Sequence, residues 1–149
     1  MIGIRRVKKF PRGAKLSKYA QEEFQTVDRA MERAEYLVEN SKTWLITYGG
    51  KPVLLIGVYK LTFLGFGNRI WLVAFAEFSH RFMRLMRFLH RGLRLLVKKC
   101  GHLSLVVDCD NDKNIRFVRH LGFTPDGNVF PDNGRRFQYY IKRPIYGSP

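Results

Sequence analysis

The stretch from Asp110 to Phe123 (DNDKNIRFVRHLGF) constrains the fold most, because it encodes both ends of a short helix. Asp112 can accept hydrogen bonds from the first free backbone N–H groups, so we predict that it is the N-cap. Gly122 can adopt the left-handed conformation that closes the last turn of a helix. Phe123 would then fold back on Val118, which is the apolar contact that accompanies this closure. The sequence therefore predicts a short helix that ends at a glycine.

Strand patterns lie on both sides of this helix. The upstream run Leu103–Asp108 (LSLVVD) has the apolar character of a buried strand. Downstream, Pro125–Phe130 and Arg136–Lys142 are predicted strands, joined by a turn at Pro131–Gly134. The second half of the chain is thus predicted to be a strand, a capped helix and a closing hairpin.

The first half alternates helical and strand patterns. Ile2–Phe10 is predicted to be a strand, and Leu16–Asn40 is predicted to be helical in two pieces that meet near Thr26. A hairpin is predicted next, because Gly49 and Gly50 supply the positive φ of a tight turn. Its strands, and the central strand that follows it, are Thr43–Tyr48, Pro52–Phe63 and Arg69–Ala76.

The longest predicted helix, Ser79–Cys100, has an apolar face and a basic face. The basic face consists of Arg84, Arg87, Arg91, Arg94 and Lys98. No acid occurs anywhere in the segment, so these side chains repel one another, whereas surface helices ordinarily mix the two signs. Two interpretations stay open: an ordinary amphipathic helix, or a helix whose basic face contacts an anionic partner.

The formal net charge of the 149-residue chain is +15, which predicts affinity for polyanions. The basic segment 1–18 precedes the first acid, Glu22, and is either a solvated strand and loop or a polyanion-binding arm. The length predicts a single domain over residues 1–149 with a short tail at 144–149. No apolar run reaches the roughly 18 residues of a membrane span, and we expect no secretory signal. Cys100 and Cys109 are expected to be free thiols.

The central helix and its surroundings resemble the GNAT family of N-acetyltransferases. Asn111, an apolar helix and then Leu121-Gly122-Phe123 resemble the family segment N-x-x-A-I-x-L-Y-E-K-L-G-F, and the elements before and after follow the family order over most of the chain. The resemblance implies a mixed α/β fold in a single domain. Its central sheet would be mostly antiparallel, with six to seven strands flanked by about four helices, and would admit a CoA pantetheine arm.

The resemblance also implies where a cofactor site and a catalytic base would lie. GNAT enzymes hold the CoA pyrophosphate on an Arg/Gln-x-x-Gly-x-Gly/Ala loop, and the matching segment here, residues 77–83 (EFSHRFM), has no glycine. The residues that would contact the cofactor are Ser79, His80, Arg81, Phe82 and Asn111. Glu77 would be the base that takes the amine proton. Val118 replaces the family tyrosine that returns a proton to the thiolate, so the resemblance implies a degenerate site.

The functional prediction is a GNAT-like protein without acetylation activity. The second half of the chain is similar to GNAT-like virion proteins of tailed phages, including internal virion proteins of podophages. That similarity implies a virion-associated or assembly role in the virion or host cytoplasm. The implied partners are portal, tail or internal virion proteins, or packaged DNA, and the C-terminal hairpin could pair between subunits. No cofactor is then expected.

Two alternatives and one rejected site complete the sequence prediction. The chain could be an active N-acyltransferase that uses acetyl-CoA, or a nucleic-acid-binding module. Asp108, Asp110 and Asp112 have the spacing of the start of a calcium-binding EF-hand loop. Lys113 and Arg119 occupy the positions that require glycine and glutamate, so no metal site is predicted.

Overall fold

The computed structural model describes residues 1–17, 27–61, 65–75, 82–132 and 134–144. The chain divides into two compact units, Met1–Leu85 and Met86–Pro149. The predicted fold class is confirmed: the described residues form seven strands and three helices, and the strand pairings within each of the two units are antiparallel. About four helices were predicted, but the first piece of the predicted Leu16–Asn40 helix falls largely on residues 18–26, outside the described residues. The organisation of residues 1–149 as one domain stays a prediction.

The first unit contains four strands, each paired with the next along the chain. They are β1 (Ile2–Val7), β2 (Ser41–Tyr48), β3 (Lys51–Leu61) and β4 (Gly65–Ala74), and helix α1 (Val27–Glu39) lies between β1 and β2 in the sequence. The β2–β3 hairpin is confirmed: Tyr48 pairs with Lys51, and Gly49 and Gly50 have φ angles of 59° and 80°. Two consecutive residues with positive φ match the right-handed twist of the flanking strands.

The core of this unit lies between α1 and one face of the strands. Ala34, Leu37 and Val38 of α1 pack in one buried cluster with side chains of the sheet. The sheet side chains of this cluster are Leu45, Leu55, Trp71, Val73 and Phe75. Ala34 and Val38, four residues apart, therefore lie on one core-facing stripe of the helix.

Several predicted boundaries in the first unit are wrong, and the first strand ends at Val7 instead of Phe10. Leu16 does not begin a helix: it forms a β-bridge with Phe75 and is buried in the core cluster, while the N–H of Ser17 donates to the carbonyl of Ala74 at 2.9 Å. Burial against the sheet outweighs the helical periodicity there. The fourth strand begins at Gly65 rather than Arg69, because the backbone of Gly65 pairs with Leu61 across the β3–β4 ladder. Backbone pairing does not require an apolar side chain, whereas the prediction of strands from sequence depends on apolar side chains.

Helix α2 (Phe82–Cys100) runs from the end of the first unit into the second. The second unit then contains β5 (Leu103–Asp108), α3 (Asp112–His120), β6 (Thr124–Asp132) and β7 (Arg135–Lys142). Strand β7 pairs antiparallel with both β5 and β6. Strand β6 continues to Asp132, which pairs with Arg135, so Pro131 and Asp132 belong to the strand and not to the predicted turn. Pro131 is tolerated in the strand because β6 is at the edge of the sheet.

Both ends of α3 have capping interactions, and the N-cap lies one residue before the predicted position. The N-cap is Asn111 rather than Asp112: the Asn111 side chain accepts from the backbone N–H of Asn114 at 3.1 Å. Asp112 lies in the first turn, where its negative charge interacts favourably with the positive end of the helix dipole. The predicted closure at Gly122 is confirmed, with φ at 93°, and the Phe123 N–H donates to the Val118 carbonyl at 3.0 Å.

One close approach in the first unit gives a test of the packing. The indole N–H of Trp71 donates to the Ser41 hydroxyl at 2.8 Å, and a side chain at the opposing Gly57 would overlap the Trp71 ring. We expect Gly57→Ala to lower the free energy of unfolding by about 1–3 kcal/mol through overpacking. Urea denaturation of the purified protein measures this.

The matched control is Gly92→Ala. Gly92 is an exposed glycine within α2, and an added methyl group would meet nothing within 4 Å. Because alanine is a better helix former than glycine, we expect this variant to gain up to about 1 kcal/mol. Equal stability of Gly57→Ala and the original chain would contradict the packing of Trp71 against Gly57.

Candidate functional site: the basic face of helix α2

Helix α2 separates apolar and basic side chains as its sequence predicts. Leu85, Met86, Leu89, Leu93 and Val97 are buried. Arg84, Arg87, Arg91, Arg94 and Lys98 are exposed, and we call these five residues the basic face. The alternation of three- and four-residue spacings keeps the basic face on one side of the helix. Its first and last residues are 14 positions apart, which corresponds to about 21 Å along the helix axis.

The basic face carries a cost in stability. Consecutive members lie three or four residues apart, where like charges destabilise a helix by about 0.2–0.5 kcal/mol per pair. The four consecutive pairs therefore cost roughly 1–2 kcal/mol at low salt. Arg84 also donates to the hydroxyl of Tyr48 at 2.7 Å, which ties the start of the helix to β2 within the first unit. Arg87, Arg91 and Arg94 have no acid within ion-pair distance among the residues that the structure describes.

Two acids of the second unit are paired elsewhere. Asp108 is buried and accepts from Arg135 at 3.1 Å, and it also accepts from the backbone N–H of Asp110 at 2.9 Å. Asp110 is paired with Arg136 at 2.9 Å. These interactions fix the loop between β5 and α3. Across the described ranges, no group of three or more His, Cys, Asp or Glu side chains is arranged to hold a metal ion.

The residues that the GNAT resemblance implies for a cofactor site are only partly described. Glu77, Ser79, His80 and Arg81 lie outside the described residues, and Phe82 is the first residue of α2. Asn111 is described, and its side-chain oxygen caps α3. The assignment of these residues to a cofactor stays a prediction. Val118, at the position of the family tyrosine, is 2% exposed.

A group of side chains at the C-terminal end of α3 was not predicted from the sequence. The rings of His90 and His120 meet edge to face, with centroids 6.0 Å apart, and the ammonium group of Lys142 donates to the Leu121 carbonyl at 2.8 Å. The guanidinium of Arg94 is close enough to influence both His90 and Lys142. We call His90, Arg94, His120 and Lys142 the α3-end cluster.

Burial and like charge act together in the α3-end cluster. Partial burial lowers the pKa of His90, and the positive charges of Lys142, His120 and Arg94 lower it further, against a hydrogen bond with the His120 backbone that raises it. Burial first, and then Arg94, lowers the pKa of Lys142. These shifts mean that the cluster resists taking up further positive charge.

Only the helical spacing of His90 and Arg94, four residues apart, could have indicated the α3-end cluster from the sequence. The approach of His120 and Lys142 to that pair is a tertiary contact within the second unit. The basic face itself was found from the sequence, because it lies on a single helix.

Comparison with solved structures gives the class of the fold. A protein of Pyrococcus horikoshii is similar to this chain with a TM-score of 0.67 at 20% identity, covering 97% of this chain and 99% of that one. An IAA acetyltransferase from Bacillus cereus gives 0.61 at 14% identity, with coverages of 96% and 99%. A GNAT family acetyltransferase from Elizabethkingia anophelis, solved with acetyl-CoA bound, gives 0.59 at 13% identity, with coverages of 95% and 97%.

The chain therefore has the fold of the GNAT acetyltransferases, as the residues around α3 predicted. No protein-family model and no curated protein sequence matches it. At these identities the likeness concerns the fold, and function has to be argued from the residues of the site. None of the described helices is long and apolar enough to cross a membrane.

The self-repulsion of the basic face can be tested directly. Arg91 has Arg87 four residues before it and Arg94 three residues after it, so Arg91→Glu converts two repulsive pairs into attractive ones. We expect a gain of about 1 kcal/mol in the free energy of unfolding at low salt, and about half of that for Arg91→Gln. Urea denaturation at low and at high salt measures both variants. A gain that did not shrink at high salt would show that charge is not its cause.

Proposed function

We propose that this GNAT-fold protein binds a polyanion, specifically the phosphate backbone of DNA, through the basic face of α2. The observation that carries the proposal is the exposure of five cations along about 21 Å of one helix that contains no acid. In the unbound protein this arrangement lowers the stability of the helix, since the repulsion costs roughly 1–2 kcal/mol. A row of phosphates would neutralise the cations and release counterions, which supplies the binding energy.

We propose further that the acetyl-CoA site is degenerate. Three features support this proposal. The segment 77–83, which corresponds to the phosphate loop, has no glycine whose backbone could approach a pyrophosphate. Val118, which takes the place of the proton-donating tyrosine, carries no ionisable group and is buried. Asn111 has its side-chain oxygen engaged in capping α3, which is a structural role.

The biological setting that fits these features is a virion-associated or assembly role. The support is the similarity of the second half of the chain to GNAT-like virion proteins of tailed phages, together with the net charge of +15. In that setting the protein would be in the virion or the host cytoplasm. It would contact packaged DNA or acidic surfaces of portal, tail or internal virion proteins.

The DNA proposal predicts a steep salt dependence that the basic face controls. We expect the slope of log Kobs against log salt for a short duplex to fall by about 0.9 per lost phosphate contact, hence by up to roughly 2.7 for the triple variant Arg87→Gln, Arg91→Gln, Arg94→Gln. Fluorescence anisotropy with a labelled duplex, between about 50 and 200 mM salt, measures the slope.

The matched control removes the same charge from three exposed lysines elsewhere, Lys51, Lys99 and Lys113, each changed to glutamine. If the control weakened binding as much as the triple arginine variant, the affinity would follow net charge alone and the basic face would not be the site. A flat salt response of the original chain would exclude contact with the DNA backbone.

The second candidate function is acetyl-CoA-dependent N-acyl transfer, which the fold favours because a structural neighbour binds acetyl-CoA. With a degenerate site, we expect calorimetric titration with acetyl-CoA to give no more binding than pyrophosphate, which has a comparable charge but no pantetheine. Micromolar binding that pyrophosphate cannot reproduce, and that Arg81→Ala weakens, would instead establish the acyltransferase candidate.

A further inference from the structure

The α3-end cluster brings four basic side chains from three elements to one place in the second unit. His90 and Arg94 come from α2, His120 is the last residue of α3, and Lys142 is the last residue of β7. The His90 and His120 rings are in contact, and Lys142 is hydrogen-bonded to the residue that follows His120. The sequence separations are large, so only the fold creates this concentration of charge.

The C-terminal end of α3 explains why basic side chains collect at this place. The last carbonyls of a helix carry partial negative charge and lack partners within the helix. The Leu121 carbonyl accepts from Lys142, and the His120 backbone accepts a hydrogen bond from His90. Gly122 keeps this place open for Lys142, because a side chain at Gly122 would overlap the ammonium group.

The charges that act on His90 and Lys142 in this cluster are all positive. Within the part of the chain that the structure describes, the charged groups that act on His90 are Lys142, His120 and Arg94, and all are basic. The guanidinium of an arginine such as Arg94 is a permanent positive charge in proteins. A half-buried ammonium group beside a guanidinium is an unfavourable arrangement until an anion neutralises it.

We infer that His90, Arg94, His120 and Lys142 form a binding site for a phosphate group. The inference deepens the proposed function and rests on it only where the phosphate belongs to DNA, because a free phosphate ion would satisfy the same side chains. Arg94 belongs to both surfaces, so the site would extend the basic face sideways from α2 toward α3. Arginine and lysine supply fixed charge, and the imidazoles can add hydrogen bonds when protonated.

A metal ion is the competing occupant, because histidine pairs bind zinc. The composition of the cluster favours an anion for two reasons. The cluster offers two imidazoles and no carboxylate or thiolate, whereas protein zinc sites ordinarily have three or four ligands. In addition, Lys142 and Arg94 would repel a divalent cation at the distances at which they already disfavour a proton on His90.

Anion binding and protonation of His90 must be coupled. The pKa of His90 is lowered in the folded protein, so the free cluster loses stability as the pH falls through the ordinary histidine range near 6.5. A bound dianion neutralises the charges of Arg94 and Lys142 and therefore raises that pKa. By reciprocity, the anion binds more tightly at lower pH, and a pKa rise of about one unit corresponds to about a tenfold change in affinity.

The test is an NMR titration of the histidine ring protons, assigned from single His→Gln variants. The probes are sulfate, which stays doubly charged throughout the titration, and inorganic phosphate. We expect either anion to raise the pKa of His90 by about one unit, and sulfate to bind about three- to sixfold more tightly at pH 6 than at pH 8, with the full tenfold gain reached only below the pKa of the free cluster. If both anions left the pKa of His90 unchanged, the inference would be wrong, while the DNA proposal would still stand on its own salt-slope measurement.

Three variants locate the site. We expect Arg94→Gln and Lys142→Gln each to weaken sulfate binding about tenfold, whereas Arg91→Gln, which removes the same charge from the same helix, should have little effect. Arg94 is exposed and its loss leaves the end of α3 intact, so this variant remains informative even if Lys142→Gln unfolds. Equal weakening by Arg91→Gln and Arg94→Gln would overturn the inference in favour of diffuse attraction.

Further titrations identify the ligand that occupies the site. A short DNA duplex that shifts the pKa of His90 as sulfate does would identify the ligand as a backbone phosphate. A shift with inorganic phosphate alone would identify a small-anion site that survives even if DNA binding fails. Zinc that broadens the His90 and His120 signals, in a protein that ignores sulfate, would overturn the inference and establish a metal site.

Discussion

The second unit depends on how helix α3 ends. Gly122 turns the chain at a positive φ, and the Phe123 N–H closes the last turn on the Val118 carbonyl, so that β6 can begin at Thr124. The same ending leaves carbonyls that accept from Lys142 and from His90. The end of α3 therefore fixes where the next strand begins. It also brings together basic side chains whose positive charges repel one another.

Charge is the second constraint, and it acts against stability. The basic face keeps five cations on one helix without an acid, and the α3-end cluster adds two histidines and Lys142 beside Arg94. The acids of the loop after β5 are instead paired with Arg135 and Arg136, where they fix backbone conformation. Asp108 and Asp110 thus have structural roles while the α2 cations are exposed, which is the arrangement expected of a surface that meets an anion.

The GNAT fold is shared with proteins that are 20% identical or less to this chain. Such a fold can be kept while its original chemistry is lost, because the core tolerates many apolar sequences and the chemistry depends on a few residues. The neighbours show the fold of this chain, whereas the glycine-free segment 77–83 and the buried Val118 are the positions that support the proposed loss of chemistry.

The sequence by itself determined the features that are local along the chain. The glycine closure of α3, the Gly49-Gly50 hairpin and the two faces of α2 were predicted because each depends on residues within a few positions of one another. The N-cap was missed by one residue, since Asn111 and Asp112 both carry suitable oxygens and only the backbone decides between them. Leu16 was placed in a helix because its pairing partner, Phe75, is distant in the sequence. The α3-end cluster is likewise tertiary: His90, His120 and Lys142 meet because a helix terminus attracts cations from whatever elements the fold brings beside it.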